Sequence, residues 1–266
     1  MTVTDLPVVA ESLASAHSIL DWLAAAPEAA VREPSVLPGW TRAHVLAHLR
    51  GVSHAVASQL EYALRHEQVV MYDGGADGRN ADISRIAALE QPALEAEVRQ
   101  AFDRLNAAVS TLNEGDLALP TAFWNGPVSG VLGAMARELL LHHADLAIGY
   151  TSNDFSEAFS LTLIDFLEAR VPEKTRLLIQ PLGRQPLVLT NGNVSGKTIV
   201  ITGMLTDIAA WLAGRQPVGQ VSASAAADAV ELPVLKPWPA PPAPVPASDP
   251  ERSTSTDPQI SIEAAR

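Results

Sequence analysis

The sequence contains no cysteine. This absence excludes disulfide bonds, thiolate metal ligands and a cysteine nucleophile. Any thiol chemistry would therefore need a thiol supplied from outside the chain. Any metal would sit among nitrogen and oxygen ligands, which suit zinc and several other divalent ions.

Basic residues and long apolar runs are also scarce. The chain has 18 Lys and Arg against 30 Asp and Glu, a net charge of −12, which disfavours nucleic acid or an anionic membrane as a partner. No apolar run approaches the roughly 20 residues needed to cross a bilayer, and the N-terminus has no basic and apolar export signal. We therefore expect a cytoplasmic protein that binds neither nucleic acid nor membrane.

Apolar residues recur at helical spacing over four long stretches in the first 150 residues. They predict helices at residues 8–26, 41–65, 91–112 and 129–148, with Thr41 as the N-cap of the second. Residues 72–82, between the second and third helices, are polar and rich in glycine and predict a loop. The four helices predict a bundle over residues 5–150, a fold in which metal sites are built between facing helices.

The pattern changes after residue 155. It predicts a helix at 156–170, strands at 176–179, 187–190 and 198–202, and a helix at 205–213. Asn191-Gly192 predicts a hairpin between the second and third strands. The overall class is α+β: a four-helix bundle, a small α+β domain over residues 155–220, and a proline-rich tail. This tail, residues 221–266, is expected to be extended, with Trp238 pinning one stretch of it to the body.

A candidate metal site combines three residues from two of the predicted helices. Glu138 and His142 are four residues apart, so one helix face presents both side chains to the same divalent cation. His48 on the second helix could complete a three-ligand site with open positions, the mark of a catalytic metal. The alternative is a buried polar cluster without a metal, and spacing alone does not decide between them.

Spacing also leaves His44 and His143 open as alternatives to His48 and His142. His143 is rotated about 100° from His142, so one helix cannot aim both at the same ion. Asp145, seven residues after Glu138, lies on nearly the same face and could orient a ligand.

Other polar residues are candidates for ligand binding. An arginine can bind a carboxylate through paired hydrogen bonds, although each such residue could instead be a solvated surface side chain. Residues 192–198 have glycine, lysine and threonine but not the spacing or the following helix of a phosphate-binding loop. The candidates for binding an anionic substrate are Arg79, Asn80 and Arg215.

Four segments resemble the mycothiol-dependent maleylpyruvate isomerases, in the same order along the chain. They are LPGWTRAHVLAHL at residues 37–49, MYD at 71–73 with Arg79-Asn80 following, RELLLHHADL at 137–146, and WLAGR at 211–215. The resemblance covers about residues 5–220 and implies a DinB-like metal-binding bundle joined to a sterol-carrier-like α+β domain.

The resemblance also implies site residues and cofactors. The family's metal ligands fall on His48, Glu138 and His142, which implies a divalent metal, zinc above all, and favours His48 over His44. Family arginines match Arg79 and Arg215, which implies catalytic and cofactor-binding roles there, with Asn80 also placed at the thiol cofactor mycothiol.

The implied reaction converts maleylpyruvate into fumarylpyruvate by thiolate addition, bond rotation and elimination. One alternative is a mycothiol S-transferase that conjugates electrophiles, and another is a non-catalytic protein that binds metal or thiol. The expected partners are therefore mycothiol and a small dicarboxylate or electrophile, bound by a monomer or small homo-oligomer.

Overall fold

The N-terminal part is a helical bundle. A computed structural model describes residues 2–192, 196–226 and 228–239. The four predicted long helices are confirmed, and a short and a medium helix are added between them. The helices are α1 (Pro7–Ala25), α2 (Glu28–Arg32), α3 (Arg42–Leu64), α4 (Gly75–Ala87), α5 (Gln91–Ser110) and α6 (Val128–Asp145).

Helical periodicity explains why these segments pack. In α5, for example, Leu94, Val98, Phe102 and Leu105 are buried at intervals of three and four residues, so one apolar stripe faces the bundle core. Thr41 is the N-cap of α3, as predicted. None of the described helices is long and apolar enough to span a membrane.

The C-terminal part is a small α+β domain, so the predicted α+β class is confirmed. The elements are α7 (Glu157–Leu167), β1 (Arg176–Pro181), β2 (Leu187–Thr190), β3 (Thr198–Gly203), α8 (Leu205–Leu212), β4 (Ser222–Ala225) and β5 (Asp228–Val230). The sheet has the order β2-β1-β3-β4-β5, and apolar residues of α7 and α8 share a core with residues of β1, β2, β3 and β4.

Helix α6 belongs to both cores. Val131, Met135 and Leu139 are buried in the bundle, whereas Leu140 and Leu141 are buried in the second domain. A helix that is apolar on two faces must be covered on both. The second domain therefore packs directly on the helix that carries Glu138 and His142.

The predicted loop at residues 72–82 is wrong, because α4 begins at Gly75. Gly74 has φ +70° and turns the chain into the helix. Gly78 passes so close to the Asp73 carbonyl that a Cβ there would collide with it. The sequence of α4 has a poor intrinsic helix propensity, and the burial of Ile83 and Ile86 against the bundle stabilises the helix.

Two further predictions fail in the second domain. The hairpin predicted between 187–190 and 198–202 is wrong, because β1 lies between these strands, antiparallel to β2 and parallel to β3. The predicted tail begins too early, since residues 222–230 supply β4 and β5 to the sheet. Residues 193–195, which follow the predicted turn at Asn191-Gly192, and residues 227 and 240–266 of the predicted tail lie outside the described residues.

The contact predicted for Trp238 is confirmed. Its ring lies 6.0 Å from that of Phe166 and packs against the second core. Residues 231–239, called the strap below, therefore run from β5 back toward α7.

Candidate metal centre and cavity

His48, Glu138 and His142 meet where α3 packs on α6. His48 Nε2 lies 2.9 Å from Glu138 Oε2, and His142 Nε2 lies 3.3 Å from the same oxygen. One ligand atom from each residue lies within 4.8 Å of the others. The two imidazole rings are nearly perpendicular, with centroids 4.6 Å apart. The structure thus brings together the three residues that the sequence singled out.

Asp145 and Arg215 fix the orientation of His142. Asp145 is fully buried, and its Oδ2 lies 2.8 Å from His142 Nδ1. Arg215 donates to both oxygens of Asp145, from Nε at 3.0 Å and from Nη2 at 2.7 Å. With a metal ion bound, a neutral His142 that donates from Nδ1 would present the lone pair of Nε2 to the ion. This chain from arginine to carboxylate to imidazole is the usual support of a metal-binding histidine.

The protonation states also suit a cation. Burial alone would raise the pKa of Glu138, but hydrogen bonds from His142 and His48 outweigh it and hold that pKa well below its usual range. Burial lowers the pKa of His48 against the opposing hydrogen bond with Glu138. Burial would also lower the pKa of His142, but its bonds with Asp145 and Glu138 raise it. A metal here would replace the proton that the cluster shares.

The donor set fits a divalent metal. Two imidazole nitrogens and one carboxylate oxygen are the ligands of a catalytic zinc site, which keeps a position open. Glu138 retains 39% exposure of its side chain although it lies on the helix at the domain junction, because it lines a cavity. The open side of the cluster therefore faces a space where a ligand can bind.

The alternative histidines lie elsewhere. His44 Nδ1 is 2.7 Å from Thr41 Oγ1 at the start of α3. His143 is buried, 2.9 Å from Ser15 Oγ through Nδ1 and stacked on Tyr150. Neither belongs to the three-residue cluster.

A cavity of about 650 Å³ opens above the cluster. Its wall combines residues of α3, α4, α6 and α7 with the strap, so both domains contribute to it. Three arginines and several aromatic side chains line it: Arg79, Arg137, Arg215, Tyr72, Phe123, Trp124, Phe166 and Trp238.

Of the two candidates on α4, only Arg79 lines the cavity. Its Nε is buried with no hydrogen-bond partner among the described residues, and its guanidinium lies 5.9 Å from the Tyr72 ring centre. Burial raises the pKa of Tyr72 to about 12, so its hydroxyl stays protonated. Asn80 is exposed and outside the cavity, and its carbonyl accepts from Ser84. The predicted role of Asn80 at the cofactor stays a prediction, and its exposed position on α4, outside the cavity, does not support it.

Sequence reasoning missed Arg137, although it stands in the segment beside Glu138. Its guanidinium lies 3.5 Å from the centre of the Phe166 ring. Burial lowers its pKa to about 10, against the attraction of Glu138, and the group remains a cation. In the sequence, the only signal for Arg137 was its position next to Glu138, a predicted metal ligand. Trp238 was expected to touch the body, but not to line this cavity.

Comparison with known proteins agrees with this geometry. The family model described as mycothiol maleylpyruvate isomerase N-terminal domain matches residues 13–147. The chain belongs to this family. The matched range covers most of the bundle, including all three residues of the cluster.

The similarity to solved structures also covers the second domain of this chain. A crystal structure of mycothiol-dependent maleylpyruvate isomerase has 26% sequence identity and a TM-score of 0.70, covering 90% of this chain and 100% of that chain. A histidine-to-alanine mutant of a mycothiol-dependent maleylpyruvate isomerase matches with the same values. No curated protein matches.

Proposed function

We propose that the chain is a mycothiol-dependent isomerase that requires a divalent metal, zinc above all, and converts maleylpyruvate into fumarylpyruvate. The observation that carries this proposal is the cluster of His48, Glu138 and His142 at a cavity lined by arginines. Family membership and the names of the solved relatives support the substrate and the thiol.

The cluster would hold the metal through two nitrogens and one oxygen. When bound, the metal supplies a Lewis acid that lowers the pKa of a thiol, so that a nucleophile exists at neutral pH. Asp145 holds the His142 ring with Nε2 toward the cluster. Arg215 holds Asp145 in turn, and its catalytic part is to keep this arrangement while lining the cavity.

Arg79 is the proposed binding group for a substrate carboxylate. Its buried Nε has a hydrogen to donate and no acceptor among the described residues. Tyr72 beside it is a neutral phenol that can donate a further hydrogen bond. Such donors would also stabilise negative charge that develops on the substrate during the reaction.

The two histidines at the start of α3 offer a matched test of the metal site. Purified protein is loaded with zinc, and metal content and isomerisation of maleylpyruvate are measured with and without mycothiol. His48→Ala should lose bound zinc and at least about 100-fold of the activity, because one of three ligands is removed. His44→Ala should keep both, since it alters a histidine on the same helix outside the cluster.

The same assay separates the alternatives. Conjugation of a bimane electrophile to mycothiol without conversion of maleylpyruvate would replace the isomerase by a mycothiol S-transferase. Substoichiometric zinc that His48→Ala leaves unchanged would remove both enzymatic proposals and favour a protein that binds a thiol without catalysis.

A further inference from the structure

The three arginines that line the cavity differ in the groups that balance their positive charge. Arg215 is neutralised by two hydrogen bonds to Asp145. Arg137 forms no ion pair or hydrogen bond with the described residues, and its guanidinium lies over the Phe166 ring. The neighbouring carboxylate of Glu138 is engaged by His48 and His142. Arg137 is therefore a cation without a paired anion in the wall of the cavity.

An unpaired charge in a partly enclosed site is costly. A guanidinium without a counter-ion loses hydration, and the ring face returns only part of that free energy. Such a group is expected where a ligand brings the missing anion, as in other sites that recognise carboxylates. The cavity supplies the room for this ligand.

The local packing confines the Arg137 guanidinium between α6 and the Phe166 ring. Gly133 lies one turn earlier on α6, where a Cβ would be 3.4 Å from Arg137 Nη1. Phe166 belongs to the second domain and covers the junction from that side. Its ring centre lies 5.9 Å from that of Trp124 and 6.0 Å from that of Trp238. A guanidinium that stacks on a ring keeps its N–H donors at its edge, free to bind both oxygens of a carboxylate.

We propose that Arg137 binds one carboxylate of the substrate while Arg79 binds the other, so that the cavity selects a dianion over a neutral electrophile. The choice of maleylpyruvate as this dianion rests on the proposed function. Arg215 then acts through Asp145 on the candidate metal site. Arg137, rather than Arg215, is the second arginine that binds the substrate.

Direct binding tests this assignment without catalysis. Calorimetry measures the affinity of zinc-loaded protein for maleylpyruvate in the absence of thiol. Arg137→Gln should weaken binding at least about 10-fold, because it removes a charge-assisted pair of hydrogen bonds. Arg137→Lys should recover part of the loss, since it restores the charge but not the planar fork.

Two controls make the result specific. Arg99→Gln makes the same change in net charge at an exposed arginine of α5 that pairs with Glu95, and it should bind like the wild type. The mono-amide of maleylpyruvate, which lacks one carboxylate, should bind wild type and Arg137→Gln within about 3-fold of each other if it occupies Arg79. Zinc content and melting temperature are recorded for every variant, because a purely structural role of Arg137 would change the melting temperature and not the preference for the dianion.

The outcomes separate this inference from the proposed function. Wild-type protein that binds the dianion through Arg137 but does not isomerise it would refute the isomerase and keep the inference. Isomerisation with unchanged affinity in Arg137→Gln would refute the inference alone. Failure of the wild type both to bind and to convert maleylpyruvate would overturn both.

Discussion

At the scale of single residues, Asp145 connects the candidate metal site to the second domain. It accepts hydrogen bonds from Arg215, which follows α8, and it contacts His142 on its own helix. Its side chain has 1% exposure, so no solvent competes for these bonds. A substitution at Asp145 should therefore change the orientation of His142 first.

We expect Asp145→Asn to lower zinc affinity by about 10- to 100-fold, the usual effect of removing a carboxylate that orients a metal-binding histidine. The amide has nearly the same shape, so the bundle should remain folded. Competition with a chromogenic chelator measures the affinity.

Asp103→Asn is the control, because Asp103 is an exposed residue of α5 away from the cluster. It should bind zinc like the wild type. Equal zinc affinity in Asp145→Asn and the wild type would show that Asp145 serves packing rather than the orientation of His142.

The residue scale also shows how far sequence alone could reach into the site. Spacing indicated Glu138 and His142, because positions i and i+4 share a helix face in any packing. It could not choose between His48 and His44, since that choice depends on how α3 is rotated against α6. Arg137 carried no pattern of its own, because an unpaired cation is recognisable only when the surrounding carboxylates are placed.

At the scale of elements, predictions succeeded where periodicity was strong. The long helices and the first three strands were found because one apolar face repeats along each. Helix α4 was missed because its glycines and polar residues indicate a loop, and packing of Ile83 and Ile86 overrides that preference. Strands β4 and β5 were missed because Ser and Ala have little strand preference, and hydrogen bonds from β3 hold β4 in place.

The packing of α3 against α5 contains a histidine whose charge matters for stability. Arg104 donates to Glu61 at 2.7 Å, and its Nη1 lies 3.4 Å from His54 Nδ1. Burial, followed by the charges of Arg50 and Arg104, lowers the pKa of His54, while Glu97 and Asp82 oppose this. His54 is thus a neutral hydrogen-bond acceptor in the folded protein.

This lowered pKa predicts the direction of a pH effect. Above the ordinary value of 6.5, His54 is neutral in both the folded and the unfolded chain. As the pH falls below 6.5, the unfolded chain takes up the proton more readily, so the folded state loses stability. His54→Gln removes this loss and keeps an acceptor, so its melting temperature should fall less than that of the wild type between about pH 7.5 and pH 5.5.

Thermal unfolding of both proteins at the two pH values measures the difference. His66→Gln is the control, because His66 is exposed after α3. Parallel falls in melting temperature for the wild type and His54→Gln would contradict the assignment of a neutral His54.

At the scale of the whole molecule, the cavity exists because two cores share α6. The bundle supplies the candidate metal site, and the second domain closes the space above it with Phe166 and the strap. Two hydrogen bonds anchor the strap: the Lys236 amide donates to the Arg170 carbonyl and Arg170 Nε donates to the Lys236 carbonyl, both at 2.8 Å. Leu232, Leu235 and Trp238 pack on the second core.

Two truncations test whether the strap is part of the site. A chain that ends at Pro239 keeps every residue found to line the cavity, and we expect it to retain the activity of the full chain. A chain that ends at Val230 loses the strap and the cavity wall at Trp238. It should melt roughly 5–10 °C lower, because several apolar side chains lose their burial.

Kinetic measurements distinguish the loss of a cavity wall from a loss of folding stability. The chain that ends at Val230 should show a KM for maleylpyruvate raised by about 5-fold or more when assayed well below its melting temperature, since the ligand loses contact area. Its zinc content should stay stoichiometric, because all three cluster residues lie in the bundle. Trp238→Leu in the full chain repeats the comparison with the strap still anchored through Lys236. An unchanged KM in both variants would show that the strap stabilises the second domain without contributing to the binding of substrate.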